Sequence, residues 1–203
     1  MFAPLAFSHD GVLLASGDEE HLIRIWDLNT LKQKAVFKGH GSSISALAFH
    51  PRDNRLASAA LADDAVFLWT LDGKFTPLKW HTNGVLTVAF SSNGAWLASA
   101  GWDKTIRVWN IEKPGDSYVL EGHTKAVNCV AFNNNGKRLV SASDDGTVRI
   151  WDTITRQELL QLDGGQESVL CVAFQPRSGH VLAAGGADRF LRLWNAATTS
   201  AVP

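Results

Sequence analysis

The chain has 203 residues, 45% hydrophobic and 19% charged, an ordinary composition for a globular protein and enough length to bury most of its apolar surface. Its net charge of −1 argues against a nucleic-acid groove, which needs a basic face to replace phosphate counterions. No apolar run is long enough for a membrane-spanning helix, and the opening "MFAPLAFSHDG" lacks the basic and apolar regions of a secretory signal. Two cysteines make no disulfide framework, so the expectation is a cytoplasmic protein that meets neither membrane nor nucleic acid.

From the N-terminus the chain reads as short strands separated by turn chemistry. A first strand (a) ends at Phe7, a second (b) follows "HDG" around Leu14–Ser16, a third (c) ends at Trp26, and a fourth (d) runs over about 31–37. Then the cycle restarts. The ending "IRIWD" (23–27) returns as "VFLWT" (66–70), "IRVWN" (106–110), "VRIWD" (148–152) and "LRLWN" (191–195). The tryptophans Trp26, Trp69, Trp109, Trp151 and Trp194 lie 43, 40, 42 and 43 residues apart. Upstream of each stands a second shared segment, such as "VAFSSNGAWLASA" and "VAFNNNGKRLVSA". A period of this length points to a propeller or solenoid array, and no segment holds a 3.6-residue periodicity. Four short antiparallel strands per unit make one blade, so the expectation is an all-β region over 1–203 with five blades and no internal domain boundary.

These five units resemble WD repeats, the Gly-His…Trp-Asp family of β-propellers, over about residues 2–195. A lone Trp-Asp dipeptide would carry no weight, but five endings in register, three with a histidine at one fixed distance, are specific.

By residue type alone, His123, Ser141 and Asp145 suggest acyl-transfer chemistry. The same set recurs with Trp151 as His40, Ser58, Asp63 and Trp69, and as His81, Ser99, Asp103 and Trp109. An enzyme needs one preorganised site, and three equivalent copies point to scaffold. The resemblance implies a hydrogen-bonded chain from Trp through Ser and His to Asp, tying strands b and c to the loop before strand a. Unit two carries one extra residue between Leu56 and Trp69, which makes Asp63 the preferred member over Asp64. In unit one the Asp position is Glu20 and the sequence starts after the histidine position. In unit five Gly165 and Ala184 replace the histidine and serine, leaving Asp188 and Trp194. The network ties should therefore be weakest at the two ends.

Other residues have plainer readings. Cys129 and Cys171 share one repeat position and read as buried free thiols on interior strands. Arg24, Arg107, Arg149 and Arg192 recur two before the Trp and read as strand residues laying their stems along a blade. No nucleophile elbow, P-loop or zinc-ligand pairing occurs, so neither cofactor nor metal is expected. Unit five offers little for a fourth strand, which gives nineteen strands. The resemblance implies seven blades most often, or ~290 residues at this period. The expectation is thus an open partial ring, with a closed five-bladed ring or pairing with a second chain through open blade edges as alternatives.

Function then reads as a non-catalytic scaffold that holds protein or peptide partners on the ring face carrying the b–c turns. The alternatives are the sensor or regulatory part of a larger signalling protein, and an enzyme using the acidic pairs Glu19–Glu20 and Asp144–Asp145 at the ring mouth. One residue stands out: Trp102, just before Asp103, has no tryptophan counterpart, its equivalents being Glu19, Ala62, Asp144 and Ala187. The resemblance places this position among the partner contacts, and tryptophan is enriched at binding hot spots. The alternative for Trp102 is to cover a neighbouring loop against Trp80 or Trp96.

Overall fold

The computed structural model describes residues 3–176 and 180–195. The chain is all-β, with one short 3₁₀ turn among the described residues, at Pro114–Asp116. The first sheet holds β1 (Leu5–Phe7), β2 (Leu13–Gly17), β3 (Leu22–Asp27) and β4 (Lys32–Lys38). The second holds β5 (Ile44–Phe49), β6 (Leu56–Ala60), β7 (Ala65–Trp69) and β8 (Phe75–Lys79); the third β9 (Val85–Phe90), β10 (Trp96–Gly101), β11 (Ile106–Asn110) and β12 (Tyr118–Leu120). The fourth holds β13 (Val127–Phe132), β14 (Arg138–Ser143), β15 (Thr147–Asp152) and β16 (Glu158–Asp163). Among the described residues the fifth has three strands, β17 (Val169–Phe174), β18 (Val181–Gly186) and β19 (Leu191–Asn195). Each sheet is an antiparallel meander in chain order, an open partial ring of propeller blades.

The turns explain why the strands stop where they do. After strand a the chain needs a left-handed residue, and Gly94 (φ 76°) and Gly136 (φ 69°) supply it at no steric cost. At the other end of the blade, strand a of the second to fifth sheets carries a β-bulge opposite the end of strand b, as at Leu86, opposite Ala100 and Gly101, or at Asn128, between Val127 and Cys129. A bulge leaves one residue unpaired and re-aims the chain toward the b–c turn.

The core lies between sheets, not within them. Ile23, Ile25 and Ala15 of the first sheet pack against Ile44, Leu47 and Trp69 of the second. Ala59, Val66 and Ala57 meet Val88, Leu97 and Trp109. Ile106 and Val108 meet Val130, Leu139 and Trp151, and Val140 and Val148 meet Val172 and Leu182. Trp69, Trp109, Trp151 and Trp194 thus each lean toward the preceding blade. Trp69, Trp109 and Trp151 are buried, whereas Trp26, with no preceding sheet among the described residues, and Trp194, whose sheet has three strands, are half-buried.

The cysteines depart from the expectation. The Cys129 thiol points across the blade interface to the Val172 carbonyl at 3.6 Å and is half-buried, but Cys171 is exposed. Its thiol instead lies 3.8 Å from the Gly185 carbonyl of its own sheet, and no further sheet covers it among the described residues.

Candidate functional site

Three copies of one hydrogen-bonded chain join strands b and c to the loop before strand a. In the third sheet the Trp109 indole donates to Ser99 Oγ at 2.8 Å, His81 Nε2 lies 2.8 Å from the same oxygen, and His81 Nδ1 lies 2.8 Å from Asp103. In the fourth the corresponding distances are 2.9, 2.7 and 2.8 Å through Trp151, Ser141, His123 and Asp145. In the second they are 2.7, 2.6 and 2.6 Å through Trp69, Ser58, His40 and Asp63. Asp63, not Asp64, meets the histidine. The indole only donates, so the serine hydroxyl accepts from it and gives its own proton to Nε2. The imidazole is then the neutral tautomer that donates from Nδ1 to the carboxylate. Every polar group in the chain has its partner, as burial demands.

The aspartate is also held by the loop it anchors. The backbone N–H of Thr124 donates to Asp145 at 3.0 Å and that of Thr82 to Asp103 at 3.2 Å. Thr147 Oγ1 and Thr105 Oγ1 add bonds of 2.6 and 2.8 Å. Burial works against ionisation of Asp103, but the bond and charge of His81 and the Thr105 donors outweigh it and hold the carboxyl at about 2. Asp145 is likewise held at about 2: desolvation opposes, and Thr147, Thr124 and His123 prevail. Desolvation pushes His40 and His123 below the usual imidazole value despite their aspartates. Ser58, Ser99 and Ser141 are each 0% exposed, with the indole on one side and the imidazole on the other. A hydroxyl so enclosed offers no approach to a substrate carbonyl.

The two end blades carry arginine contacts beside this position. In the first sheet Trp26 still donates to Ser16 at 3.0 Å, but Arg24 bridges to Asp18 and Glu20. In the fifth, Asp188 binds Arg192 at 2.6 Å, and both fill the space a side chain at Gly165 would need. The guanidinium thus stands where the histidine stands in the middle blades.

The five-fold recurrence of this plan has a match. A model of the WD domain, G-beta repeat, fits residues 5–27, 31–70, 74–110, 116–152 and 156–195. The chain belongs to the WD40 repeat family. Human WD repeat and SOCS box-containing protein 1 is 33% identical over 110 residues, covering 53% of this chain and 26% of the relative. Bovine transducin beta-like protein 3 is 30% identical over 112 residues (54% and 14%), and the Drosophila melanogaster Polycomb protein esc is 26% identical over 130 residues (60% and 31%). The chain thus spans less than a third of the length of these relatives. WD40 repeats generally serve as non-catalytic interaction scaffolds.

In WD40 terms, the b–c turns of the second to fifth blades meet the loop before strand a. The Trp102 N–H donates to the Gly84 carbonyl at 3.0 Å, as Asp144 does to Ala126 and Ala187 to Ser168, while the Ala62 N–H donates to Ser42 Oγ. Trp102 is 47% exposed. The two tryptophans named as its alternative contacts turn elsewhere: Trp80 packs on Trp109 at 5.5 Å and Trp96 on Tyr118 at 5.8 Å. Glu19, Ala62 and Ala187 are exposed at the same repeat position. Asp144 is half-buried and accepts from Asn128 at 2.7 Å, so of the acidic pair Asp144–Asp145 neither carboxylate is free.

Several contributors escaped the sequence reading. Phe67 stands where the other repeats have Arg and stacks on His40 at 4.2 Å. Trp80 stands where Gly39 and Gly122 stand in neighbouring repeats, and Arg107 lies over its ring at 5.8 Å instead of against a carboxylate. The Asp-x-Thr spelling of "DKT" and "DGT" was the available signal for Thr105 and Thr147.

Proposed function

We propose that this WD40 region is a non-catalytic scaffold that holds a protein or peptide partner on the face carrying the b–c turns, with Trp102 as its principal contact. The observation that carries the reading is a large, half-exposed aromatic ring standing on a turn whose neighbouring Asp103 is locked by four bonds. A rigid platform lowers the ordering cost of binding, and an exposed tryptophan on it is surface that folding alone does not use. Glu19, Ala62, Asp144 and Ala187 occupy the equivalent turns and supply the rest of the contact ring. No nucleic acid, membrane, metal or cofactor enters this reading, and its setting is the cytoplasm. The names of the relatives, a SOCS box protein and a Polycomb protein among them, are consistent with a regulatory assembly of which this region is one part.

Quantitative affinity capture from cells of the source organism, with wild-type chain against Trp102→Ala, tests the proposal. The variant should lose a defined set of partners while its unfolding free energy stays within about 1 kcal/mol of wild type. Identical partner sets from both would end the assignment to Trp102.

A further inference from the structure

On the opposite face, where the a–b and c–d turns lie, the groove between the third and fourth blades opens into a pocket of about 340 Å³. Trp96 and Tyr118 form its wall, ring edge to ring face. Its rim is made of hydrogen-bond donors. Asn93 Oδ1 accepts from Ser91 and the Ala95 N–H, and Asn135 Oδ1 accepts from the Lys137 N–H, which leaves both side-chain NH2 groups for a ligand. Lys137 is exposed, and the Arg156 guanidinium lies 4.6 Å over the Tyr118 ring. The carboxylate of the same turn, Asp152, is already taken by Arg138 at 2.6 Å and by the N–H groups of Ile154 and Thr155.

The preceding groove, between the second and third blades, shows what this one lacks. Arg55, the residue before strand b, binds Glu112 of the next blade at 3.0 Å and Asp53 of its own at 2.9 Å, so that groove is neutralised within the chain. The same two positions here are Trp96 and Ile154, an aromatic and an aliphatic side chain in place of an ion pair. Among the described residues no carboxylate pairs with Lys137 or with Arg156, whose guanidinium partner is the Tyr118 ring. The groove is also preformed: Ser92 Oγ donates to the Asn134 carbonyl at 2.6 Å and Tyr118 Oη to the Thr153 carbonyl at 3.0 Å, both across the blade interface.

We propose that this pocket is a second binding site, taking an acidic peptide segment whose Asp or Glu carboxylate meets Lys137 and Arg156 while an adjacent apolar side chain lies against Trp96 and Ile154. Its volume, at the small end of the roughly 300–1,000 Å³ of ligand pockets, suits one or two side chains of a peptide rather than a whole cofactor. Charge-assisted bonds to two cations give the selectivity for carboxylate. The site shares no residue with the face that carries Trp102, and the two proposals stand or fall separately.

The test is fluorescence anisotropy of the full chain with a fluorescein-labelled hexapeptide alternating aspartate and leucine, set against the same peptide with asparagine for aspartate. The aspartate peptide should bind at least about tenfold more tightly, and Lys137→Glu should weaken it by at least about tenfold. Arg156→Gly should do the same without loss of stability, because Arg156 sits at φ 62° where glycine is unstrained. Trp102→Ala should leave this binding unchanged. Equal binding of the two peptides, or indifference to both substitutions, overturns the proposal. Displacement by succinate at the peptide's own concentration would also overturn it, assigning the pocket to a small free anion.

Discussion

Ile23 and Ile25 on strand c of the first blade are 0% and 1% exposed; Leu191 and Leu193, at the same two positions of the fifth, are 70% and 64% exposed. The residues are chemically alike and the strands pair in the same register, Ile25 with Ala15 and Leu193 with Ala183. What differs is the next blade. The first sheet leans on Ile44 and Leu47 of the second, while the outer face of the fifth has no such partner among the described residues. Burial in this architecture is a property of a pair of blades, so near-identical repeats carry unequal shares of the stability. The polar networks show the same difference, complete in the second to fourth blades and replaced by the Asp188–Arg192 pair in the fifth.

Middle and end tryptophans should therefore differ most. Trp109→Ala removes a buried ring together with the donor to Ser99 and should cost ~3–5 kcal/mol in urea unfolding. Trp194→Ala, at a half-buried ring in the three-stranded sheet, should cost clearly less. Equal losses at the two positions would mean that the fifth blade is as well covered as the third.

Much of this difference was legible in the sequence, because a strict period fixes which residues are equivalent and the substitutions at Gly165, Ala184 and Glu20 stand out against it. Strand ends came within about a residue of those observed, since the turn residues mark them. Less legible was whatever depends on a neighbour in space. The repeat position of Cys129 and Cys171 says they are alike, yet only the assembled sheets show that one faces a blade and the other does not. The contacts of Phe67 and Trp80 were hidden for a related reason: each replaces a repeat residue and makes ring contacts, Phe67 with His40 and Trp80 with Trp109, that no spacing rule describes.

The next difference is in the networks. Asp145→Ala should destabilise by ~1–3 kcal/mol, the cost of stranding buried donors. Its effect and that of His123→Ala should be non-additive, because contacting residues couple. Additive losses in the double-mutant cycle would dissolve the chain into independent bonds. Asp188→Ala, which removes one surface partner of Arg192, should cost less than Asp145→Ala.

Acid should act on the same blades. Asp103 and Asp145, held at about 2 against an ordinary 3.8, bind fewer protons folded than unfolded. Their contribution is present above about pH 4 and is lost as pH falls through about 2. His40 and His123, lowered from 6.5, act in the same direction and start earlier: below 6.5 the unfolded chain takes up their protons first, so stability declines. The melting temperature should fall in two stages, one below pH 6.5 and one between about 4 and 2. Asp145→Asn should flatten the second, and an unchanged acid limb in that variant would remove the network from the acid response.

The smallest effect on unfolding is expected where the comparison began. Leu191→Lys and Leu193→Glu place charges on side chains that are already largely in water, so unfolding free energy should change by no more than about 0.5 kcal/mol. Ile25→Glu, the same kind of change at the equivalent covered position, should abolish folding or cost several kcal/mol, because it buries an unpaired charge. The informative readout for the leucines is association. An apolar sheet face with no strand beside β19 among the described residues favours self-pairing, and the two charges should shift sedimentation toward monomer. A marked loss of stability in the leucine variants, read at a concentration where the wild type is monomeric, would show that the outer face of the fifth blade is covered within the single chain and that the ring is closed.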